Sequence, residues 1–378
     1  VKIALIVPSL GVDGDVETPA ISLLVRQLAS AVDLHVVTLR HPRWRENRVV
    51  DGARVHAIGG GSGLRAVARA TFSVLIREHR REPFDVIHGL WLHEPGTIAV
   101  LAGRAMRVPV LASIGGAEVA AIPDIGYGAL LSRRGRLVCA QVLRRASLVS
   151  GGSTFVLQRA RQLVPDVPSD RFRLAPLPVD TDRFTPAHSH PTLTPRPRLF
   201  HAASLIPVKD QGTLLRGFAH VARDVPNARL TIVGADPFGL RPALEHLAIQ
   251  FGLEQLVRFT GGVPHACMPA LYRESDLFLL SSRHESQGMV VLEAAASGVP
   301  TVGTAVGVIP DLAPGAASSV PIADSWAFAA AVVDLLRDDN RRRAMAVDAR
   351  ARAESDYGAT VATRRFAELY DELAARAT

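Results

Sequence analysis

"DLFLLSSRHESQGMVVLEAAASGVPTVGT", residues 276–304, decides the fold. Its opening run, "DLFLLSS" (Asp276–Ser282), has the length and apolar content of a strand buried on both faces. "RHESQG" is a polar loop at the strand's carboxyl end. "MVVLEAAAS" has helix-forming composition, and Gly298-Val299-Pro300 supplies the usual stop signals. "VPTVGTA" (Val299–Ala305) then restarts as a strand. A strand, a helix and another strand imply a parallel sheet covered by helices.

Glu285 and Glu293 stand eight residues apart in this stretch with no charge between them. On one continuous helix, eight steps of about 100° leave their side chains about 80° apart, so a helical carboxylate pair explains them poorly. A loop feeding a helix explains them better. Glu285 then lies in the loop and Glu293 in the second helical turn. Gly288 permits close backbone approach, and the amides of Met289, Val290 and Val291 open a helix suited to phosphate. The apolar strip keeps carboxylates away from that phosphate. A ligand with hydroxyls at both ends and a diphosphate between would match, with a sugar on Glu285 and a ribose diol on Glu293. Two solvated glutamates on a surface loop and helix are the alternative.

The same alternation runs along the chain. "VKIALIV" (Val1–Val7), "DLHVVTL" (Asp33–Leu39), "FDVIHG" (Phe84–Gly89), "VPVLASI" (Val108–Ile114) and "SLVSGG" (Ser147–Gly152) read as strands. Helical patterns cover Ile21–Ala31, Thr97–Met106 and Leu137–Ala146. After the proline-rich "TPAHSHPTLTPRPR" (Thr185–Arg198), strands recur at "LFHAASL", "RLTIVGAD" and "VRFTGGV", with helices over Trp326–Asp338, Asn340–Arg352 and Ala359–Ala375. The expected architecture is α/β: two doubly wound, Rossmann-like parallel-sheet domains facing across a cleft. Their expected extents are residues 1–185 and 199–357, with a linker at 186–198 and a last helix at 358–378. Ligands in such sheets sit at the carboxyl ends of strands.

The chain's 378 residues suffice for two such cores, and no run reaches the roughly 20 apolar residues of a membrane span. No signal peptide is visible, so a cytoplasmic protein is expected. Cys139 and Cys267 are too few for a disulfide framework and lack metal-ligand spacing. Residues 1–190 carry 24 basic against 16 acidic residues, and residues 191–378 carry 19 against 20. The basic half suits an anionic partner such as the inner membrane surface; an arginine-rich genome explains it equally. "SRRGR" (Ser132–Arg136) and "LRR" (Leu143–Arg145) read either as a membrane-facing patch or as a solvated helix face. Aromatics do not interleave with the arginines, which argues against nucleic acid.

Of the 43 basic residues only Lys2 and Lys209 are lysines. Where arginine takes nearly every basic place, a remaining lysine suits a need for a compact point charge. Lys209 directly follows the first strand of the second half, in "ASLIPVKDQGTLLRGF", where it can serve a diphosphate. An ordinary exposed lysine is the alternative.

These motifs together resemble the retaining glycosyltransferases of family 4, which have the GT-B fold and a Glu-x7-Glu signature. "SLIPVKDQGTLL", "RLTIVGADP" and "HESQGMVVLEAAASGVPTVGT" resemble the donor-binding half; "FDVIHGLWLHEPG", "VPVLASIGGAEV" and "FRLAPLPVDTDRFTP" resemble the acceptor-side half. "GATVATRRFAELYDEL" resembles the final helix, which in the family crosses back to the first domain. The resemblance implies that Glu285 contacts the donor sugar and Glu293 the ribose. It implies further that Lys209, Val290 and Val291 face the diphosphate, and Gly288 and Met289 the sugar hydroxyls. Gly234 and the Phe259–Val263 loop, with Gly261, would flank the base, and Gly11 to Gly14 would form the glycine-rich loop.

Three departures stand out. Ser204 replaces an arginine five residues before the lysine. Gly115 and Gly116 occupy the loop where the family often has a histidine beside the sugar; His93 is the substitute, with a structural histidine as the alternative. Leu177-Pro178 replaces Asn-Gly. Glu118 and Asp13 are further candidates, each as a catalyst or as a structural acid. No Asp-x-Asp follows a buried strand, so no metal and no cofactor beyond the nucleotide diphosphate-sugar is implied. The expected reaction is sugar transfer from a UDP- or GDP-sugar to a saccharide or lipid-linked acceptor. A nucleotide-sugar epimerase and a non-catalytic nucleotide-sugar binding module are the rivals.

Overall fold

The computed structural model describes residues 1–10, 19–40, 47–59, 63–187 and 195–376. The chain divides into two units, Val1–Pro178 together with Ala359–Thr378, and Val179–Gly358.

In the first unit the strands are β1 (Lys2–Val7), β2 (Asp33–Thr38), β3 (Asn47–Val50), β4 (Ala53–Ala57), β5 (Val86–Leu90), β6 (Val110–Ile114), β7 (Leu148–Gly151) and β8 (Phe172–Leu174). They form one sheet in the order β3-β4-β2-β1-β5-β6-β7-β8. Every pair is parallel except the β3–β4 hairpin. That hairpin closes on Asp51-Gly52, both at positive φ (49° and 88°), as a two-residue turn between right-twisted strands requires. The Asp-Gly signal stands in the sequence between "NRVV" and "ARVHA", outside the strands expected from apolar runs.

Helices α1 (Pro19–Leu28), α2 (Leu64–Arg81), α3 (Glu94–Met106), α4 (Arg133–Arg145) and α5 (Thr154–Leu163) cover the sheet with the terminal helix Ala359–Ala375. Side-chain alternation along β1 shows why both faces need cover. Ile3, Leu5 and Val7 join the core shared with α1 and the terminal helix, while Ala4 and Ile6 join the core shared with α2 to α5. Each Leu- or Ile-sized side chain so buried contributes about 1.5–3 kcal/mol.

A buried polar chain also fastens the terminal helix. The Tyr370 hydroxyl lies 2.9 Å from His88 Nδ1, His88 Nε2 lies 2.7 Å from Ser113 Oγ, and Ser113 Oγ lies 2.5 Å from Ser150 Oγ. Burial pushes the His88 pKa down to about 3, so the imidazole stays neutral.

The second unit holds β9 (Arg198–Ala202), β10 (Arg229–Val233), β11 (Val257–Gly261), β12 (Leu277–Leu280), β13 (Thr301–Thr304) and β14 (Ala317–Val320), all parallel, in the order β11-β10-β9-β12-β13-β14. Its longer helices are α6 (Gln211–Asp224), α7 (Arg241–Gln250), α8 (Met268–Arg273), α9 (Met289–Ala296), α10 (Ile309–Leu312), α11 (Ser325–Arg337) and α12 (Asp339–Tyr357), and the terminal helix of the first unit is α13. Phe218 of α6 and Phe328 of α11 pack on Leu230, Leu277 and Val302 over one face.

The division at Pro178/Val179 precedes the Thr185 boundary expected from the prolines. The Val179 amide donates to Tyr357 O (2.9 Å), and Arg350 Nη1 donates to Thr181 O and Phe184 O (3.1 and 2.7 Å). Phe184 stacks edge-on against Tyr272, 5.8 Å between centroids. These contacts assign residues 179–184 to the second unit. Among the described residues no helix is long and apolar enough to cross a membrane.

Candidate active site

In the second unit the carboxyl end of β12 meets the loop after β9. Pro207–Lys209 forms one 3-10 turn, and Asp210, at φ 46°, caps α6 by accepting from the Thr213 amide (3.1 Å). Two cross-strand bonds lock this loop to the β12 end: Ser281 Oγ donates to Lys209 O (2.8 Å) and the Arg283 amide to Val208 O (2.8 Å). Beneath it, His201 Nδ1 donates to Leu279 O (2.9 Å), and Gln211 Nε2 donates to Ser204 O (3.1 Å) and approaches His201 Nε2 (3.4 Å). Burial lowers the His201 pKa to about 4, which keeps this tautomer neutral. Ser204 itself is exposed.

The scaffold sets Lys209 Nζ 2.5 Å from Glu285 Oε1, which also accepts from Ser282 Oγ at 2.7 Å. Both side chains keep an open edge, 21% and 12% exposed. An ammonium and a carboxylate held at the surface rather than sealed in can exchange partners when an anion or a hydroxyl arrives.

Gly288 sits at φ 90° and caps α9 with no side chain. Its freedom is required there, since a side chain at this φ is strained. Of the three amides expected to be open, that of Val291 is engaged: it donates to Gly288 O at 3.0 Å, because the left-handed turn swings this carbonyl beneath the helix start. The Met289 and Val290 amides meet no partner among the described residues.

Glu293 is 8% exposed and both its oxygens are engaged, Oε1 with His265 Nε2 (2.9 Å) and Oε2 with the Tyr272 hydroxyl (3.0 Å). Its expected place beside a ribose diol leaves these two partners unforeseen, since both lie far from it in sequence. The same hydroxyl lies 2.9 Å from Val290 O, so its one hydrogen is shared between the two acceptors, and burial, with the Glu293 charge beside it, raises its pKa well above the usual phenol value. It therefore remains a donor.

Gly307 is a second omission. At φ 57°, a side chain there would overlap Gln287 O and come within 2.9 Å of Glu285 Cβ, and the next amide, of Val308, donates to Gln287 O at 2.8 Å. Gly307 thus sets how closely the loop after β13 backs the Glu285 loop. Its signal was a glycine between a strand and a short helix in "VGTAVGVIP". Gly234 allows the end of β10 to pass against Ala203 O, and Gly261 takes φ 76° at the end of β11. Among the described residues no group of three His, Cys, Asp or Glu could hold a metal ion.

In the first unit the loops after β5 and β6 carry the other candidates. Glu118 is buried and accepts from the amides of Leu92 (3.1 Å), Gly115 (3.4 Å) and Gly116 (2.5 Å), which makes it a structural acid joining the two loops. His93 is exposed at the start of α3 and makes no capping bond with its side chain. A side chain at Gly115 would stand 2.6 Å from the Trp91 indole, so no histidine fits that place here. Leu177 is partly buried against the β1 core. Gly11 to Gly14, with Asp13, lie outside the described residues.

Both units of the chain are similar to known proteins. Residues 18–178 match the family described as "Glycosyl transferase 4-like domain" and residues 196–338 that described as "Glycosyl transferases group 1". A GDP-mannose-dependent alpha-(1-6)-phosphatidylinositol monomannoside mannosyltransferase of Mycolicibacterium smegmatis is 29% identical over 92% of this chain and 93% of its own. The Mycobacterium tuberculosis protein of the same description is 30% identical over 71% of each chain. Among solved structures, sucrose-phosphate synthase from Thermosynechococcus elongatus superposes with a TM-score of 0.81 at 20% identity, covering 99% of both chains. Anabaena HepE, solved in complex with UDP and glucose, gives 0.76 at 18%, over 98% of this chain and 99% of its own. The chain belongs to glycosyltransferase family 4 and has the GT-B fold. It is a glycosyltransferase that uses a nucleotide-sugar.

Proposed function

We propose that the protein transfers a mannosyl group from GDP-mannose to a hydroxyl of a sugar-bearing lipid, with retention at the anomeric carbon. The Lys209–Glu285 pair beside the open start of α9 is the observation that carries this reading. The mannosyltransferase relatives support the choice of donor and acceptor.

A donor diphosphate seated at the Met289 and Val290 amides competes with Glu285 for the Lys209 ammonium. Glu285, still held by Ser282, then accepts from hydroxyls of the sugar. As the bond from the anomeric carbon to phosphate oxygen breaks, Lys209 and the helix amides balance the charge on the leaving diphosphate. The acceptor oxygen bonds to the anomeric carbon from the same face, and its proton passes to the departing phosphate oxygen. Glu293 orients the ribose: each oxygen, after accepting from His265 or Tyr272, keeps a lone pair for a diol hydroxyl. The reading includes peripheral contact with anionic lipid near α4, where Leu131 and Leu137 are exposed among Arg133, Arg134 and Arg136.

A panel of GDP-mannose, UDP-glucose and UDP-N-acetylglucosamine, followed by nucleotide diphosphate release with and without phosphatidylinositol mannoside, tests this. Acceptor-dependent release of GDP, with an α-linked product by NMR, is expected. Release from no donor, or a β-linked product, overturns it.

A further inference from the structure

Trp91 directly follows β5 and holds φ 79°, a backbone region that bulky side chains rarely adopt. Its surroundings over-determine that conformation. The Trp91 amide donates to Ser113 O (3.0 Å), its carbonyl accepts from the Gly96 amide (2.8 Å), and a side chain at Gly96 would come within 2.8 Å of that carbonyl. The indole lies against Gly115 and Gly116, where Cβ atoms would stand 2.6 and 3.0 Å from Nε1. Glu118, through the amides of Leu92, Gly115 and Gly116, fastens both loops around the ring.

Strain that the fold holds in place with this many contacts is a signature of function. The ring is half-buried, and its N–H meets no hydrogen-bond partner among the described residues. It stands at the carboxyl ends of β5 and β6, where parallel sheets receive ligands. An indole with a packed body and an unpartnered donor complements a ring that has C–H groups on one face and hydroxyls at its rim.

We propose that Trp91, backed by Gly115 and Gly116, is a sugar-binding platform that stacks on a pyranose ring and donates its N–H to a ring hydroxyl. This rests on the glycosyl-transfer reading and deepens it. The pyranose has two sources, the acceptor's sugar and the sugar of the donor, and the arms of the test tell them apart.

The protein's other tryptophans are Trp44 and Trp326. In a W44F/W326F protein the fluorescence reports Trp91 alone. Methyl α-D-mannopyranoside is expected to change it saturably if the acceptor ring binds there. If the donor sugar binds there, GDP-mannose is expected to change it where GDP does not. In parallel, Trp91→Gly, whose backbone accepts this φ, is expected to raise the KM of the sugar substrate concerned about tenfold while GDP affinity stays within about twofold. Trp91→Phe keeps the ring and loses the N–H, and its KM is expected to fall between the two. Should Trp91→Gly fail a thermal-melting check, the phenylalanine variant and the fluorescence titration decide. Fluorescence indifferent to both sugars, with KM values unchanged in the phenylalanine variant, overturns the proposal. If the wild type turns over no donor, the transfer reading fails, and the titration still tests the platform.

Discussion

The two units put carboxylates at the ends of comparable parallel strands and use them in opposite ways. Glu118, after β6, accepts from three backbone amides and is sealed from solvent. Glu285, after β12, faces an ammonium and a hydroxyl with its edge open. Backbone amides have nowhere else to go, so Glu118 holds shape; side-chain donors can change partners, so Glu285 is free to meet a ligand. The turns differ likewise. Glycine takes the left-handed conformation at Gly288, whereas in the first unit Trp91 takes it and the glycines lie under the ring.

The contrast is broken most directly at the exchangeable pair. Lys209→Met should lower kcat by about a hundred- to a thousandfold, as loss of a charge-stabilising donor does, with little change in melting temperature. A stable variant with wild-type kcat would remove Lys209 from the chemistry. Gly307→Ala acts on the same loop from behind. Overlap with Gln287 O should displace Glu285 and reduce kcat about tenfold, equivalent to about 1.4 kcal/mol; unaltered kinetics would show that the loop gives way freely.

Glu118→Gln should behave in the opposite manner. Its amide keeps one acceptor oxygen and leaves buried N–H groups short of a partner, at about 1–3 kcal/mol. The expected result is a melting temperature lower by several degrees, with kcat changed far less than by Lys209→Met. A collapse of kcat without loss of stability would make Glu118 catalytic after all.

Acid offers a gentler probe of the difference. Burial lowers the pKa of His88 to about 3 and of His56 to about 4 in the first unit, lowers that of His35 beside His56, and lowers His201 in the second unit to about 4. An unfolded histidine takes its proton near pH 6.5, so between about 6.5 and 4 the unfolded chain binds more protons. Stability is complete above that window and falls as pH drops through it. The first unit, with more such histidines, should lose more of its melting temperature between pH 7 and pH 5 in calorimetry. A melting temperature flat from pH 7 to 4 would contradict the burial of these rings. The smallest expected effect is none: in the proposed reaction Lys209 and the α9 amides supply the positive charge, so EDTA should leave turnover unchanged, and a metal-dependent rate would refute that.

Much of the fold was legible beforehand. "VKIALIV" and "DLFLLSS" are apolar throughout because both faces of a parallel strand are covered, and the β1 and β12 side chains lie buried as that pattern demands. The β3–β4 hairpin does not show in the apolar pattern because β3 faces water and β4 is only five residues long, although its turn is written plainly in Asp51-Gly52.

Within the site, local order fixed only neighbours in sequence. The strand, loop and helix around Glu285, the left-handed Gly288 and the exposed amides of Met289 and Val290 follow from a few adjacent residues. Only the tertiary structure decided the partners: Lys209 reaching Glu285 across 76 positions, His265 and Tyr272 closing on Glu293, Gly307 backing the loop, and Trp91 filling the space above Gly115. Helix and strand periods report what a segment does to its own backbone and which face it buries. Which side chains meet above the sheet depends on strand order and register, and those are set by how the whole core packs.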